Sequence, residues 1–404
     1  METIPLAPKP DHVPESLVVD FDFTNLPGTE DDIQSGYQCF QQNCPDIFWT
    51  PHNSGHWVAT RAEDIVFMQR NTNIFSNRVI TLPPYPDGTP PALPLELDPP
   101  VHARYRRPLV QFLTPVNVKH LEDRVRKIAV DQIEKLLPQG ACEFIEAFAK
   151  VLPIQVFLDA VDLPREDARK LLPMAEDAVR AKSLEQRIGA QQAMGAYLYP
   201  HVVVRRQKPG EDLLSQIVNL DVNGERISET EAMSYATLVL FGGLDTVAGL
   251  IGLIAKFLAE HPDHRRQLAA RLDDKQFLRG AIEELIRRHG IANTARELTQ
   301  DFEYKGVLFM KGDRVLPPNL LAGVDDRANP NPLEVDFDRK GGTHASFGNG
   351  PHACPGAGLA RREITVFLEE WLSRIPEFQV KPGARPVLET GQVNGIVELQ
   401  LVWA

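Results

Sequence analysis

The sequence predicts a mostly α-helical fold with small β regions, arranged as a single domain over residues 31–404 behind an irregular arm of residues 1–30. Three observations carry this reading. Apolar residues recur at helical spacing through most of the chain after Pro100, the β-like runs are short, and no repeat or low-complexity linker divides the sequence. The 404 residues, 43% hydrophobic and 24% charged, are enough to bury a large core and exclude the disordered and fibrous classes.

Taken in order, residues 1–30 are Pro-rich and acidic and hold no periodic pattern. Between Cys44 and Thr60 the runs IFWT and HWVAT flank the turn HNSG, which predicts a hairpin. Residues 81–100 contain eight prolines, so they form neither a regular helix nor a central strand. Helical periodicity then marks 101–113, 116–137, 149–160, 164–183, 186–207, 229–259, 263–272 and 276–289, punctuated by prolines and Gly210. Short strands are expected near Glu297–Leu298, Phe302–Tyr304 and Arg314–Leu316, and again within 387–402.

A formal net charge of −12 opposes any global attraction to nucleic acid or anionic membrane. Four cysteines (Cys39, Cys44, Cys142, Cys354) are too few for a disulfide scaffold and suit a reducing compartment; all but Cys354 are expected to be packing residues. With no targeting pattern at the start of the chain, a cytoplasmic protein is expected. Tyr235–Ala255 is long enough to cross a bilayer, but its glycines and its central Asp245 favour a buried helix of a large core.

The most informative segment is FGNGPHACPG, residues 347–356, followed by a helix from about Gly358 to Ser373. A cysteine just before a helix N-terminus meets free backbone N–H groups and the positive helix end, which favour a thiolate, either nucleophile or metal ligand. Glycines at 348, 350 and 356 let the backbone approach a flat group without a Cβ in the way.

Phe347, Gly350, Cys354 and Gly356 match the pattern Phe-x-x-Gly-x-x-x-Cys-x-Gly, and here the chain resembles the cytochrome P450 family. The resemblance implies the P450 fold, a triangular-prism-like helical domain enclosing heme b, with Cys354 as the axial iron ligand. Glu284-x-x-Arg287 is a second match. An isolated pair at this spacing is usually a solvated helix pair, but its place about 70 residues before the cysteine fits the family's structural lock.

A third match is Phe241-Gly-Gly-Leu-Asp245-Thr246. An acid–alcohol pair inside an apolar helix is costly unless partnered, which marks it as a functional candidate. The resemblance sets it over the distal heme face: Gly242 and its neighbour would let the helix bulge, Thr246 would hold dioxygen and its water, and Asp245 would deliver protons. The plainer alternative has the Thr246 hydroxyl bonding back to a helix carbonyl. His102, Arg106, Arg296 and His352 are the implied donors to the two heme propionates.

Stretches such as GHWVATR, GGLDTV and LARREI, within a resemblance spanning Gly55 to Trp403, are most similar to the bacterial camphor 5-monooxygenase type. The implied reaction inserts one oxygen atom of dioxygen into an unactivated C–H bond. Its electrons come from NADH through a flavin reductase and a two-iron two-sulfur ferredoxin, and the enzyme is expected to be a monomer without nucleic-acid or membrane partners. Thr81, Leu82, Leu238, Phe241, Ala292, Gln392 and Val393 are the implied pocket for a small, terpenoid-like hydrophobe, with Gln392 facing solvent on a strand as the plainer alternative. Where the camphor type has a substrate-binding tyrosine this chain has Pro90 or a neighbour, and Thr294 replaces an acid near one propionate. A basic patch of Arg106, Arg107, Lys119, Arg124, Arg126, Lys127, Arg361 and Arg362 is expected to dock the ferredoxin. A peroxide-driven enzyme of the same fold and a non-enzymatic heme sensor are the competing readings.

Overall fold

The computed structural model describes residues 5–86, 88–181 and 183–404, with the side chain of His120 excepted. Its helices are α1 (Ile33–Asn43), α2 (Ala62–Arg70), α3 (Val101–Phe112), α4 (Pro115–Leu136), α5 (Val151–Ala160), α6 (Ala168–Arg180), α7 (Leu184–Gln207), α8 (Leu213–Val218), α9 (Glu229–Leu244), α10 (Thr246–Glu260), α11 (Pro262–Ala269), α12 (Lys275–Arg288), α13 (Asn319–Val324) and α14 (Ala357–Arg374). The long ones coincide with the helical periodicity to within a few residues.

Periodicity does not reveal α1, α2, α8 and α13. In α1 the reason is chemical: Gln34, Gln38 and Gln41 are buried, where a polar residue ordinarily marks an exposed face. Their side-chain amides donate to the carbonyls of Gly290, Val324 and Thr60, which offsets the cost of burial. The helix starts where the Asp32 carboxylate accepts from the amides of Gln34 and Ser35.

The hairpin is present, with Ile47–Thr50 antiparallel to His56–Ala59. It extends into a five-stranded sheet through Arg314–Leu316, Arg296–Leu298 and Phe75–Ser76. At the other end of the chain Phe378–Val380, Gln400–Trp403 and Ala141–Glu143 form a three-stranded sheet. The N-terminal arm is irregular apart from one short turn of helix, yet Val13, Phe21, Phe23 and Leu26 are buried against the first sheet and α1.

The main core lies where α4, α5, α10, α12 and α14 meet, around Phe144, Phe148, Phe367 and Trp371. Complete burial of an apolar side chain of this size stabilises the fold by about 1.5–3 kcal/mol. A second cluster joins α5 to α9 through Leu158, Leu171, Leu198 and Tyr235. Glu229–Glu260 is apolar and long enough to cross a membrane, but 72% of its most apolar window is buried inside the protein, as befits a central core helix.

One expected element is two. The helix read as 229–259 breaks at Asp245, whose backbone (φ −115°, ψ −34°) ends α9 and begins α10. Gly243 allows the break to sit against Phe157, since a Cβ there would come 2.3 Å from that ring.

Candidate active site

The loop 347–356 is shaped by local backbone bonds. Cys354 N donates to Phe347 O at 2.7 Å and Gly348 N to Ala345 O at 2.7 Å, so the chain doubles back on itself before α14. Gly348 and Gly350 have φ of +68° and +69°, a region costly for residues with a Cβ. Gly350 also lies against α2, where a Cβ would come 2.9 Å from Gln69 O. Gly356 has an ordinary φ; an added Cβ there would sit 3.7 Å from Cys354 Sγ, beside the sulfur. The guanidinium of Arg361 stacks over Phe347 at 4.6 Å.

Cys354 is accessible, yet the surrounding protein still desolvates its thiol. The sequence expectation of a helix-stabilised thiolate is corrected here. Burial pushes the thiol up, outweighing the amides of Gly356 and Ala357 and the charges of Arg106 and Arg361. A bound cation is what would favour the thiolate at neutral pH.

The four donors predicted from sequence come together from three distant segments. The rings of His102 and His352 lie 4.0 Å apart, Arg106 donates to Ala353 O, and His352 feels the charges of His102, Arg296 and Arg106. Burial and these cations push His352 down to about 3, and burial with Arg106 pushes His102 down to about 4. Arg296, fully desolvated, is pushed down to about 10. Nε2 of His102, both ring nitrogens of His352 and Nε of Arg296 have no hydrogen-bond partner among the described residues. A cluster of buried donors with unmet hydrogen bonds suits a dianionic ligand, and the two propionates of heme provide one. The residues therefore fit heme: Cys354 would hold the iron, and His102, Arg106, Arg296 and His352 the propionates.

Gly242 is exposed, and a Cβ there would meet nothing within 4 Å, so the break in the α9–α10 helix borders open space. Thr246 Oγ1 donates to Gly242 O at 3.0 Å, which is the local back-bond of the plainer alternative. Asp245 is buried and is not free: Arg180 Nη1 donates to its Oδ1 at 2.8 Å. Sequence reading misses Arg180, about 65 residues earlier on α6; a lone arginine ending an amphipathic helix gives no signal.

The Glu284–Arg287 lock is buried, as the resemblance implies. Arg287 donates from Nε to Glu284 Oε2 (2.7 Å), from Nη2 to Oε1 (2.8 Å) and onward to the carbonyls of Gly323, Pro332 and Glu334. Arg339 and the amide of Asp336 also donate to Glu284.

Three chain segments bring part of the predicted pocket together: Ala292 bridges Val393, Asn293 N donates to Gln392 O, and Ala295 N donates to Ile80 O next to Thr81 and Leu82. The side-chain amide of Gln392 donates to Ile80 O at 3.1 Å. Leu238 and Phe241 lie on α9, half-buried and buried respectively, and are not brought against that convergence by any contact among the described residues. Pro90 is exposed; the tyrosine of this loop is Tyr85, half-buried.

The basic patch is largely neutralised. Arg126 pairs with Glu122, Glu369 and Glu370, Lys127 with Asp131, Arg124 with Asp159, Arg361 with Glu283 and Arg362 with Glu122. Arg107 and Lys119 are exposed with no ion pair among the described residues. Cys39 is exposed rather than packed, and no metal-ligating cluster occurs among the described residues.

The fold and the cysteine loop define a heme-thiolate protein, and comparison with known proteins agrees. A family model described as cytochrome P450 matches residues 192–398. The chain is 33% identical to a probable cytochrome P450 127A1 of Sinorhizobium fredii, over 98% of this chain and 97% of that one. The crystal structures of CYP101J2 and CYP101C1 superpose with TM-scores of 0.89 and 0.88, at 36% and 35% identity, covering 99% and 98% of this chain and all of theirs. The chain belongs to the cytochrome P450 family and is a bacterial-type, heme-binding monooxygenase similar to the camphor-type members.

Proposed function

We propose that this monooxygenase hydroxylates a small, hydrophobic, terpenoid-like substrate in the cytoplasm, with electrons from a two-iron two-sulfur ferredoxin reduced by an NADH-dependent flavin reductase. The observation that carries the reading is the helix break at Asp245–Thr246, a buried acid and a hydroxyl one turn from the open space at Gly242, in the apolar middle of the helix. A peroxide-driven enzyme or a heme sensor has no need of timed proton delivery.

Heme held by Cys354 would supply the activation of dioxygen and the oxidation of the C–H bond. The residues of the chain orient and protonate. Thr246 Oγ1 keeps its lone pairs free while its proton is donated to Gly242 O, so it can accept from a water and, by rotating, donate in turn. Asp245 can pass a proton only when its pair with Arg180 opens, which makes that pair a gate between the site and the protein surface. The apolar walls at Leu82, Phe241 and Val393 exclude bulk water from the substrate. Arg107 and Lys119, with their charges unmet, are the cations left to steer an acidic ferredoxin.

The test reconstitutes the heme-loaded enzyme with ferredoxin, reductase and NADH, and in parallel with hydrogen peroxide alone. Turnover of small terpenoids with the ferredoxin system is expected. Turnover with peroxide alone, or heme binding with no turnover, overturns the reading. Cys354→Ala should abolish the red-shifted carbon monoxide band for which the family is named.

A further inference from the structure

Arg180 and Asp245 meet against a third part of the chain. Val387–Glu389 and Gly395–Glu398 pair antiparallel as a hairpin, with Gly395 opposite Glu389. Gly395 is buried and does not have a positive φ, so no turn demands a glycine there. Proximity demands it. A Cβ on Gly395 would come 2.7 Å from Arg180 Nη2 and 3.3 Å from Cζ and Nε, the first well inside non-bonded contact. Nη2 is also the atom 2.6 Å from Asp245 Oδ2, so it meets the carboxylate and the bare backbone of Gly395 at once. Gly249 on α10 leaves more room, since a Cβ there would sit 3.6 Å from Nη2.

The hairpin is itself held in place. Asn394 N donates to Ile291 O, Asn293 N to Gln392 O and Asn293 Nδ2 to Gly391 O, each at 2.8 Å. Asn394 Oδ1 accepts from Gly391 N at 3.1 Å, which closes the turn on itself. Gly391 packs on the end of α6, where a Cβ would come 3.2 Å from Val179 O. A backbone tied at this many points does not yield to an added methyl group, whereas the end of an arginine side chain does. Arginine has several torsions and can approach a carboxylate in many ways; the bidentate approach seen here is one that the hairpin leaves open.

We propose that Gly395 is a positioning residue for proton delivery: by presenting no side chain it lets Arg180 seat on Asp245 and the pair close. The proposal rests on the reading of that pair as a gate. A methyl group at position 395 pushes the guanidinium off the carboxylate, the gate no longer shuts, and protons reach the site untimed. The effect falls on coupling of electrons to product, not on substrate affinity.

The test uses the heme-loaded enzyme with ferredoxin, reductase and NADH, and compares Gly395→Ala, Arg180→Gln and the two combined. In Gly395→Ala, NADH consumption and substrate affinity from spin-state titration should stay within about twofold of wild type, while product formed per NADH falls severalfold and hydrogen peroxide rises to match. Added to Arg180→Gln, the same change should alter neither coupling nor denaturation midpoint, because the shorter side chain leaves room for the methyl group. Gly249→Ala, the same change at ordinary contact distance, should keep coupling within about twofold of wild type. Wild-type coupling in Gly395→Ala overturns the proposal, as does a matching loss in Gly249→Ala or an equal further loss on top of Arg180→Gln. If Gly395→Ala fails to hold heme, the double variant decides: recovered heme content supports the contact with Arg180, and continued loss overturns it. The gate reading fails separately. Wild-type turnover and coupling in Asp245→Asn, with the midpoints of the Gly395→Ala and Arg180→Gln cycle still non-additive, overturns the gate and leaves the seating of Arg180 by Gly395 standing.

Discussion

Arg180 and Asp245 form a bidentate ion pair, with Nη1 donating to Oδ1 at 2.8 Å and Nη2 2.6 Å from Oδ2, across the break between α9 and α10. Both side chains are buried, so the pair ties α6 to the point where the central helix is interrupted. Asp245→Asn should remove the proton donor and leave an uncompensated cation. Turnover should fall by about 10²–10⁴-fold, with loss of stability of about 3–5 kcal/mol. Adding Arg180→Gln should restore much of the stability and none of the turnover. Recovery of turnover in the double variant would show that Asp245 acts by structure alone.

Thr246→Ala removes a hydroxyl whose only bond among the described residues is to Gly242 O. Substrate affinity, read from spin-state titration, should stay within about twofold, while product formed per NADH falls severalfold and hydrogen peroxide rises to match. Unchanged coupling would return Thr246 to the role of a helix back-bond.

Glu284 gathers Arg287, Arg339 and the amide of Asp336. Burial pushes its carboxyl up, but these donors outweigh that and hold it below the ordinary range. Glu284→Gln should leave the buried Arg287 charge unpaired and cost about 3–5 kcal/mol. The denaturation midpoint should fall, and heme content on purification should fall with it. A variant of full heme content and unchanged midpoint would contradict the lock.

His56, in the strand His56–Ala59, is 1% exposed, and burial pushes it down to about 3. In the unfolded chain it titrates near its ordinary 6.5. The unfolded state therefore binds the proton more readily, and stability is lost as pH falls from 6.5 toward 3, at up to about 1.4 kcal/mol per pH unit. His56→Gln should flatten that slope relative to wild type, measured as denaturation midpoint against pH. Identical slopes would mean that His56 is protonated in the folded protein.

Chemistry written in adjacent residues is legible in the amino-acid sequence itself. The hairpin, the long helices, the Gly- and Pro-rich Cys354 loop and the cost of Asp245 in an apolar run follow from short-range rules, while the Glu284–Arg287 lock is named through the resemblance to a known family. Even the propionate donors His102, Arg106, Arg296 and His352 can be named through the resemblance to a known family. Their convergence cannot be read from spacing, because about 250 residues separate His102 from His352.

What tertiary structure decided was pairing. Asp245 is held by Arg180 on another helix, most of the expected docking cations are cancelled by carboxylates from distant segments, and the amide of Gln392 is spent on Ile80 O. A charged side chain looks the same in sequence whether it is paired, buried or free. Its energy depends on which groups the fold brings within a few ångströms and how much water it removes, and both are set by contacts between residues far apart in the chain.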